Sequence, residues 1–545
     1  MKGVKLNFFP TNFMKYKIPI IDLFAGPGGL AEGFSSVQKN QYCAFDIRLS
    51  IEKDVSAHKT LILRSFVRQF EKGNLPDEYY KVLREPDIIK RENLKNALFE
   101  KFSDEYKIAS KEAWLAELGN KRFPPQLVDK RIKKGLKNEK YWALIGGPPC
   151  QAYSLVGRSR VGGIDNGDHR VYLYKEYLRI IAKHQPAVFV MENVKGLLSA
   201  KVNDEKVFHS ILRDLQDPSS VFKEASATKY RIYSLSNEPD GLDIFGNPNY
   251  KDDKQYLIKS ENYDIPQNRH RVILLGIRED IDIKPKTLAS LSDGIKLKDV
   301  IGDLPKIRSG LNRSFVSSEI INKKKKRYYK KEIDTNQNWE KIINSFRKEV
   351  ISWNGFAKNY SDTKIRASKN SIGSEFIKCR TPSNKNPLYS WYHDPLLKGV
   401  CNHQSRSHLI QDLKRYMFAG MFAKTYKRFP RLHEYKNHGE ELLPDHQNVE
   451  SGKFADRFRV QLPDVPATTI TSHISKDGHY FIHYDANQCR SLTVREAARI
   501  QTFPDNYLFC GSRTQQYHQV GNAVPPYLAK QIAEVVYELF NKMEI

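Results

Sequence analysis

Short apolar runs alternate with helix-like stretches in the first half of the chain, from Lys17 to about Asp282. This alternation predicts a parallel α/β sheet. Because ligands of open α/β sheets bind beyond the carboxyl ends of the strands, the residues that follow each run are the candidates for a site. The predicted strands are IPIIDLF (18–24), YCAFDI (42–47), YWALIGG (141–147), AVFVMENV (187–194) and HRVILLGI (270–277).

The remaining sequence differs from this pattern in three places. Residues 65–140 are charged and mostly helical without strand signals, which predicts a helical insertion in the first region, 1–282. Residues 283–464 are irregular, basic and aromatic, which predicts a separate domain. From residue 465 regular order returns. The chain ends with a predicted amphipathic helix whose apolar side carries Leu528, Ile532, Val535, Val536 and Leu539.

Composition points to a partner that carries phosphates. The 545 residues have a formal net charge of +26, although a lysine-rich proteome would also produce such a balance. Lysine and arginine crowd into INKKKKRYYKK (321–331) with aromatic residues among them, which suits a groove along a nucleic acid backbone. The N-terminus lacks the apolar centre of a secretory signal, and no apolar run is long enough to span a membrane. We therefore expect a cytoplasmic, nucleoid-associated prokaryotic protein.

A glycine turn follows the first predicted strand. Gly26, Gly28 and Ala31 fit the spacing G-x-G-x-x-A, which lets the backbone approach a ligand closely. Asp46 comes about twenty residues later, at the predicted end of the second strand, where a carboxylate can accept hydrogen bonds from ribose hydroxyls. The pattern predicts a nucleoside-containing cofactor and does not separate NAD from S-adenosylmethionine.

Reactive side chains lie next to three further predicted strands. In GGPPCQAYS (146–154), two prolines stiffen a loop that aims Cys150, a potential nucleophile. Glu192 ends the fourth run, where a carboxylate is costly without a partner or a task. QNRHRV then places Arg269 and Arg271 on one strand face. A thiol, a carboxylate and two guanidiniums suit covalent attack on an electron-poor ring, with proton donation and anion binding.

Six motifs occur in the order found in DNA (cytosine-5) methyltransferases of bacterial restriction-modification systems, and the chain resembles that family. The resemblance covers the first region except its insertion, and the sequence from Pro466 onward. It implies a doubly wound α/β fold that uses S-adenosylmethionine, completed by residues 465–545, with a second, smaller and irregular target recognition domain at 283–464. The motifs are DLFAGPGGL, GGPPCQAYS, MENVKGLL, QNRHRVILLG, TVREAARIQTFPDNY and QVGNAVPP.

The resemblance also implies a role for individual residues. Cys150 would add to C6 of a flipped-out cytosine, Glu192 would hold and protonate N3, and Arg271 would bind the carbonyl side of the base. Arg269 would help to set the phosphate and the loop, and Ser154 would belong to a mobile loop that closes behind the base. Phe24 would stack on the adenine and Asp46 would bind the ribose of the cofactor. The other implied cofactor contacts are Ala25, Gly26, Gly28, Gly29, Leu30, Pro148, Leu173, Asn522 and Val524.

Other functions account for fewer of these residues. An NAD oxidoreductase leaves Cys150, Glu192 and the two arginines unused, and a DNA-binding protein without activity would not need them. A tRNA cytosine methyltransferase of the same fold is a nearer alternative. The spacing of Cys379, Cys401, His403 and His408 fits no standard zinc finger, so no metal is expected. The expected partners are double-stranded DNA and a restriction endonuclease for the same site, with the chain itself a monomer.

Overall fold

A computed structural model describes residues 17–543 with several gaps. Cys150 and Ser154 lie outside the described residues, so the predictions about these two side chains have no structural counterpart here. The gaps are residues 40–41, 72, 150–168, 203, 223–227, 291–293, 323, 354–355, 357–359, 361–362 and 444–456.

An eight-stranded mixed sheet forms the centre of the first region. Its order is β6-β8-β5-β4-β1-β2-β3, and β7 pairs with β8 off this path. The strands are β1 (Ile18–Leu23), β2 (Phe45–Glu52), β3 (Ala113–Leu115), β4 (Ala143–Gly146), β5 (Val188–Val194), β6 (Tyr230–Ser234), β7 (Leu257–Lys259) and β8 (His270–Arg278).

Five neighbouring strands, from β3 to β5 across the sheet, are parallel, whereas β8 runs antiparallel to β5. The chain passes from β1 to β2 on one side and later enters β4 on the other side. Strand order therefore reverses at β1, and the fold is doubly wound. A crevice opens at such a point beyond the carboxyl ends of the strands.

Helices cover both faces of the sheet, because side chains of β1 alternate between two apolar cores. Ile18 and Ile20 pack in one core with α1 (Gly29–Ser35) and the C-terminal helix α16 (Pro526–Lys542). Ile21 and Leu23 pack in the other core with α6 (Pro125–Leu136), α7 (His169–His184) and α8 (Val207–Gln216). The helices of this region are α1 (Gly29–Ser35), α2 (Val55–Val67), α3 (Asp77–Arg84), α4 (Ile88–Lys101), α5 (Ser103–Glu112), α6 (Pro125–Leu136), α7 (His169–His184) and α8 (Val207–Gln216).

Residues 65–140 are mostly helical, but they also contain one strand for which the sequence has no signal. The three-residue strand β3 lies within them and pairs with β2, with Ala113 beside Ser50. A strand this short has no apolar run that sequence could show. Helices α3 and α4 also have a separate packing partner, since Tyr79, Leu83 and Leu98 share a core with Leu397 and Cys401.

The region from 294 onward contains two further apolar cores. One joins residues 297–307 and 377–400 to the segment from Ala467 to Ala523, and the other joins residues 311–365 to 413–489. We expected the segment from 465 to complete the first region. Its residues between Ala467 and Ala523 instead contribute to these two cores. Val524 and α16 then pack with α1.

The helices and longer strands of this region are α9 (Leu297–Ile301), β9 (Arg313–Ile321), β10 (Lys324–Lys331), α10 (Asn336–Ser352), β11 (Gly373–Lys378), α11 (Tyr389–Tyr392), β12 (Gly399–Gln404), α12 (Ile410–Tyr426), α13 (Leu432–Lys436), α14 (Val494–Ile500), α15 (Arg513–Asn522) and α16 (Pro526–Lys542). Two-residue strand pairs and single 3₁₀ turns account for the remaining regular structure of the described residues. None of the helices in the described ranges is long and apolar enough to cross a membrane. Among the same residues, no group of three or more His, Cys, Asp or Glu could hold a metal ion.

Candidate active site

Four strand ends meet at the carboxyl edge of the sheet. Gly146, the last residue of β4, lies beside Leu23 of β1 and Met191 of β5. On the far side of β5, Ile273 of β8 lies beside Glu192. This register places the turn that begins at Gly147 next to Glu192, as expected for residues that follow neighbouring strands.

Glu192 and Arg271 form an ion pair at this edge. The Nε atom of Arg271 lies 2.7 Å from Oε1 of Glu192, and the two side chains are only 13% and 14% exposed. Because so little water reaches the pair, its attraction is screened less than that of a surface pair. Arg271 also donates from Nη1 to the carbonyl oxygen of His270 at 2.9 Å, which fixes the direction of the guanidinium.

Gly147 leaves no space for a side chain above this ion pair. A Cβ atom at Gly147 would lie 2.8 Å from Oε2 of Glu192, closer than such contacts occur. The backbone that leads to Cys150 therefore passes directly over the carboxylate. Pro148 follows and is buried. The GGPP sequence thus brings the chain against Glu192 just before the cysteine.

The glycine turn after β1 has an open upper side. Phe24, Gly26 and Gly28 have positive φ angles of 57°, 57° and 97°. A Cβ atom at Gly26 would have no neighbour within 4 Å, so space remains above the turn. Phe24 is half-buried and packs against the core that contains Ile21 and Leu23. Ala25 is buried. The turn can therefore receive a ligand against its backbone.

Val524, near the C-terminus, borders this turn. A Cβ atom at Gly29 would lie 2.4 Å from the carbonyl oxygen of Val524, so the two backbones are in direct contact. Asn522 is exposed and its side-chain Nδ2 lies 3.3 Å from Nδ1 of His518. The structure thus brings Val524 to the glycine turn, as the motif order implies. The Leu30 and Leu173 side chains are 6% and 4% exposed, so each offers little surface to a ligand.

Asp46 does not lie at the glycine turn, and the prediction that it ends the second strand is wrong. It is the second residue of β2 and pairs with Pro19 at the opposite end of the sheet. Its carboxylate forms an ion pair with Arg48. The predicted strand stopped too early because Arg48 interrupts the apolar run, whereas the strand continues in alternation through the buried Leu49 and Ile51.

Glu52 occupies the position expected for Asp46, and sequence reasoning missed it. It is the last residue of β2, and its Oε2 accepts a hydrogen bond of 2.7 Å from the backbone N–H of Gly26. Its Oε1 accepts one of 2.7 Å from Asp54 N–H. Burial raises the pKa of Glu52, and the bonds from Asp54 and Gly26 oppose that rise. The alternating pattern LSIE was the signal that could have identified it.

Arg269 is buried in the structure, whereas the resemblance implies that it helps to set the phosphate. The side chain is 1% exposed, and its Nη1 donates to the carbonyl oxygens of Ile470 at 2.7 Å and Gly521 at 3.4 Å. Burial and the nearby charge of Arg271 lower the pKa of Arg269. Arg269 therefore holds the segment before Asn522 against β8 and does not face solvent.

Comparison with known proteins shows the family of the chain. The model of the C-5 cytosine-specific DNA methylase family matches residues 111–219 and 242–538. The chain belongs to this family. A type II methyltransferase of Bacillus paralicheniformis is 31% identical over 96% of this chain and 99% of its own length. A DNA (cytosine-5-)-methyltransferase of Aeropyrum pernix is 25% identical over 73% of this chain and 81% of its own. As a C-5 cytosine-specific DNA methylase, the chain methylates cytosine in DNA.

A single methyl group at Gly147 should impair this methylase. In Gly147→Ala the new Cβ must displace the Glu192 carboxylate or the loop above it, and a shift of about 1 Å at a reacting centre can cost roughly 100-fold in rate. We expect the methylation rate to fall by about 10- to 100-fold in single-turnover assays. Gly135→Ala in α6 is the control, because its Cβ would have no neighbour closer than 3.6 Å. Equal rates for Gly147→Ala and wild type would show that the loop does not rest on Glu192.

Proposed function

We propose that the methylase transfers a methyl group from S-adenosylmethionine to C5 of a cytosine flipped out of double-stranded DNA, with Cys150 as the nucleophile. The observation that carries this proposal is the Glu192–Arg271 ion pair directly beneath the loop that leads to Cys150. The glycine turn opens at the same edge of the sheet. A base and a methyl donor bound there would meet above the strand ends.

Covalent addition explains why a thiol belongs in such a site. C6 of cytosine is only weakly electrophilic, and the Cys150 thiolate forms a bond to it while the ring electrons move towards C5. C5 would then bond to the methyl group as the bond between that group and the sulfonium sulfur of the methyl donor breaks, which leaves S-adenosylhomocysteine. Loss of the C5 proton to a base would expel the thiolate and restore the aromatic ring. The cysteine is unchanged at the end, and the net products are 5-methylcytosine, S-adenosylhomocysteine and one proton.

Glu192 and Arg271 fit the charge changes of this addition. Negative charge develops on N3 and O2 of the ring as the thiolate adds. We propose that Glu192 shares a proton with N3 through Oε2, since Oε1 is the oxygen held by Arg271. Arg271 then offers its guanidinium to O2. Fixed donors of this kind stabilise the developing charge without having to reorganise during the reaction.

The residues around the glycine turn fit S-adenosylmethionine. That molecule supplies an electrophilic methyl group on sulfur. The open space at Gly26 would receive the methionine part, and Phe24 would lie against the adenine. Glu52 would accept hydrogen bonds from the ribose hydroxyls in place of Asp46, because each carboxylate oxygen can accept more than one bond. Val524 and Asn522 would close the pocket from the C-terminal side.

We infer that the region from 283, together with the segment up to Ala523 that shares its cores, recognises the DNA target. A target base inside a duplex cannot reach the strand ends, so it must be flipped out at a cost of a few kcal/mol. The relatives' description as type II methyltransferases supports protection of host DNA beside a restriction endonuclease with the same site. We further propose that the enzyme acts as a monomer.

Expression in a host that lacks cytosine-5 methylation tests the function and the nucleophile together. Wild-type protein should produce 5-methylcytosine in genomic DNA, measured by mass spectrometry of nucleosides, and conversion sequencing should map it to one short sequence. Cys150→Ser should produce none, because a hydroxyl is far less ionised than a thiol at neutral pH. Cys43→Ser is the control, since Cys43 is half-buried at the other end of the sheet. Methylation by Cys150→Ser, or 5-methylcytosine found only in tRNA, would contradict the proposal.

Glu52 should make cofactor binding depend on pH. Glu52→Gln removes the charge but keeps the shape, and hydrogen bonds to charged groups contribute about 1.5 to 3 kcal/mol. We expect calorimetry to show a dissociation constant for S-adenosylmethionine that is higher by about tenfold or more. Because burial raises the pKa of Glu52, wild-type binding should weaken as the pH falls and the carboxylate becomes protonated. The Gln variant should lack this dependence. A larger loss in the control Asp46→Asn would restore Asp46 as the ribose ligand.

A further inference from the structure

A two-stranded ribbon projects from the second region. It comprises residues 313–331, with the nine-residue strand β9 antiparallel to the eight-residue strand β10. Every residue of β9 is exposed except Ser314, which is half-buried. At about 3.4 Å per residue the ribbon is roughly 30 Å long. We call residues 313–331 the basic ribbon.

The basic ribbon concentrates positive charge. It contains eight Lys or Arg and one Glu, a formal charge of +7 of the chain's +26 in 19 of 545 residues. The one carboxylate, Glu319, already accepts a hydrogen bond from the hydroxyl of Tyr328. Like charges at this density repel each other along a ribbon. A polyanion along its length would remove that repulsion.

Both faces of the basic ribbon are cationic. Because side chains alternate along a strand, Lys326 and Lys330 share one face, and Arg327 and Lys331 share the other. Arg313 lies opposite Lys331 and over the ring of Tyr329, 4.3 Å from its centroid. A ribbon that rested on a flat surface would need cations on one face only. Two cationic faces suit a groove with phosphates on both walls.

The end of the ribbon that carries Arg313 and Lys331 has side-chain contacts, whereas the part near the turn is exposed to solvent. Near the inner end Phe315 packs on Tyr329, with ring centroids 5.9 Å apart, and Ser314 donates a 2.7 Å hydrogen bond to Glu332. Towards the turn, Ile320 is 78% exposed. Isolated two-stranded ribbons are only marginally stable in water, so a partner that covers this part would order it.

We propose that the basic ribbon is an arm that lies in the major groove of duplex DNA beside the methylated site and binds its phosphates without reading sequence. The proposal rests on the proposed function in that the bound duplex is the substrate. The major groove, about 12 Å wide, admits a two-stranded ribbon. A length of roughly 30 Å corresponds to about nine base pairs at 3.4 Å each. The arm would therefore extend the enzyme's contact well beyond its recognition sequence.

Charge removal on duplexes of two lengths tests this arm. The variant Lys326→Gln/Lys330→Gln/Lys331→Gln neutralises three exposed lysines of the basic ribbon. The matched control Lys130→Gln/Lys133→Gln/Lys134→Gln makes the same charge change on exposed lysines of α6. Fluorescence anisotropy measures binding of 14- and 40-base-pair duplexes that carry the target mapped for the wild-type enzyme, over a range of salt concentrations. Methylation of the 14-base-pair duplex is measured alongside.

On the long duplex, the ribbon variant should bind at least about tenfold more weakly than wild type at low salt. The negative slope of log affinity against log salt should become shallower by about 2 to 3, which is roughly 0.9 for each phosphate that the variant no longer neutralises. Binding and methylation of the short duplex should change less than about twofold, and the α6 control should match wild type on both. Hydroxyl-radical footprints of wild type should extend on one side of the target, and the variant should lack that extension.

Several results would contradict the proposal that the basic ribbon is a DNA-binding arm. Unchanged binding and salt slope on the long duplex would do so, and equal losses on both duplexes would place the ribbon in recognition of the target itself. A dimer in light scattering that the ribbon variant dissociates would assign the ribbon to a second copy of the chain. Failure of the proposed function is seen separately, as absence of 5-methylcytosine from DNA treated with the wild-type enzyme.

Discussion

The contact between Gly147 and the Glu192 carboxylate is the constraint on which the site depends. Glu192 lies two residues before the end of β5, Arg271 is the second residue of β8 and Gly147 follows β4, so three strands must be in register for these residues to meet. Arg271 lies 2.7 Å from one carboxylate oxygen, and a Cβ atom at Gly147 would lie 2.8 Å from the other. A side chain at Gly147 would separate the loop from the carboxylate. The sheet thus fixes the approach of the chain to Cys150.

Buried arginines of the C-terminal segment join it to the second region. Arg499 of α14 contacts Asp505 at 2.7 Å and Asp303 at 2.5 Å, which joins α14 to the loop after α9. Arg490 contacts both oxygens of Glu496. Burial alone would raise the pKa of Glu496, but Arg490 holds it below the usual range. Removing one member of such a pair leaves an unpaired buried charge, which typically costs about 3 to 5 kcal/mol.

The sequence pattern predicted most strands of the eight-stranded sheet but not those at its edges. All five predicted strands are present, because continuous apolar runs mark strands that are buried in a sheet. Strands β3, β6 and β7 were missed. β3 and β7 have only three residues each, held in place by tertiary pairing, and β6, with the sequence YRIYS, has one aliphatic residue and no continuous apolar run. The apolar core that contains residues 297–307 also contains residues 467–523, which the motif order assigns to the first region.

Site residues could be predicted where they lie near the end of a strand within a motif. Glu192 and Arg271 do so, and they meet. Asp46 failed because the end of β2 depends on Leu49 and Ile51, which alternate with polar residues and form no continuous run. Arg269 fits the same motif as Arg271, but its environment depends on Ile470 and Gly521, which lie 201 and 252 residues further along the chain. Such distant packing could not be read from local sequence.

Trapping the enzyme on DNA tests the central claim most directly. In a target duplex with 5-fluorocytosine at the methylated position, fluorine cannot leave C5 as a proton does, so the adduct to the thiol persists. With S-adenosylmethionine present, peptide mass spectrometry should find the methylated fluorinated base attached to Cys150. No adduct, or an adduct on another cysteine, from an enzyme that methylates the unfluorinated duplex would contradict the account.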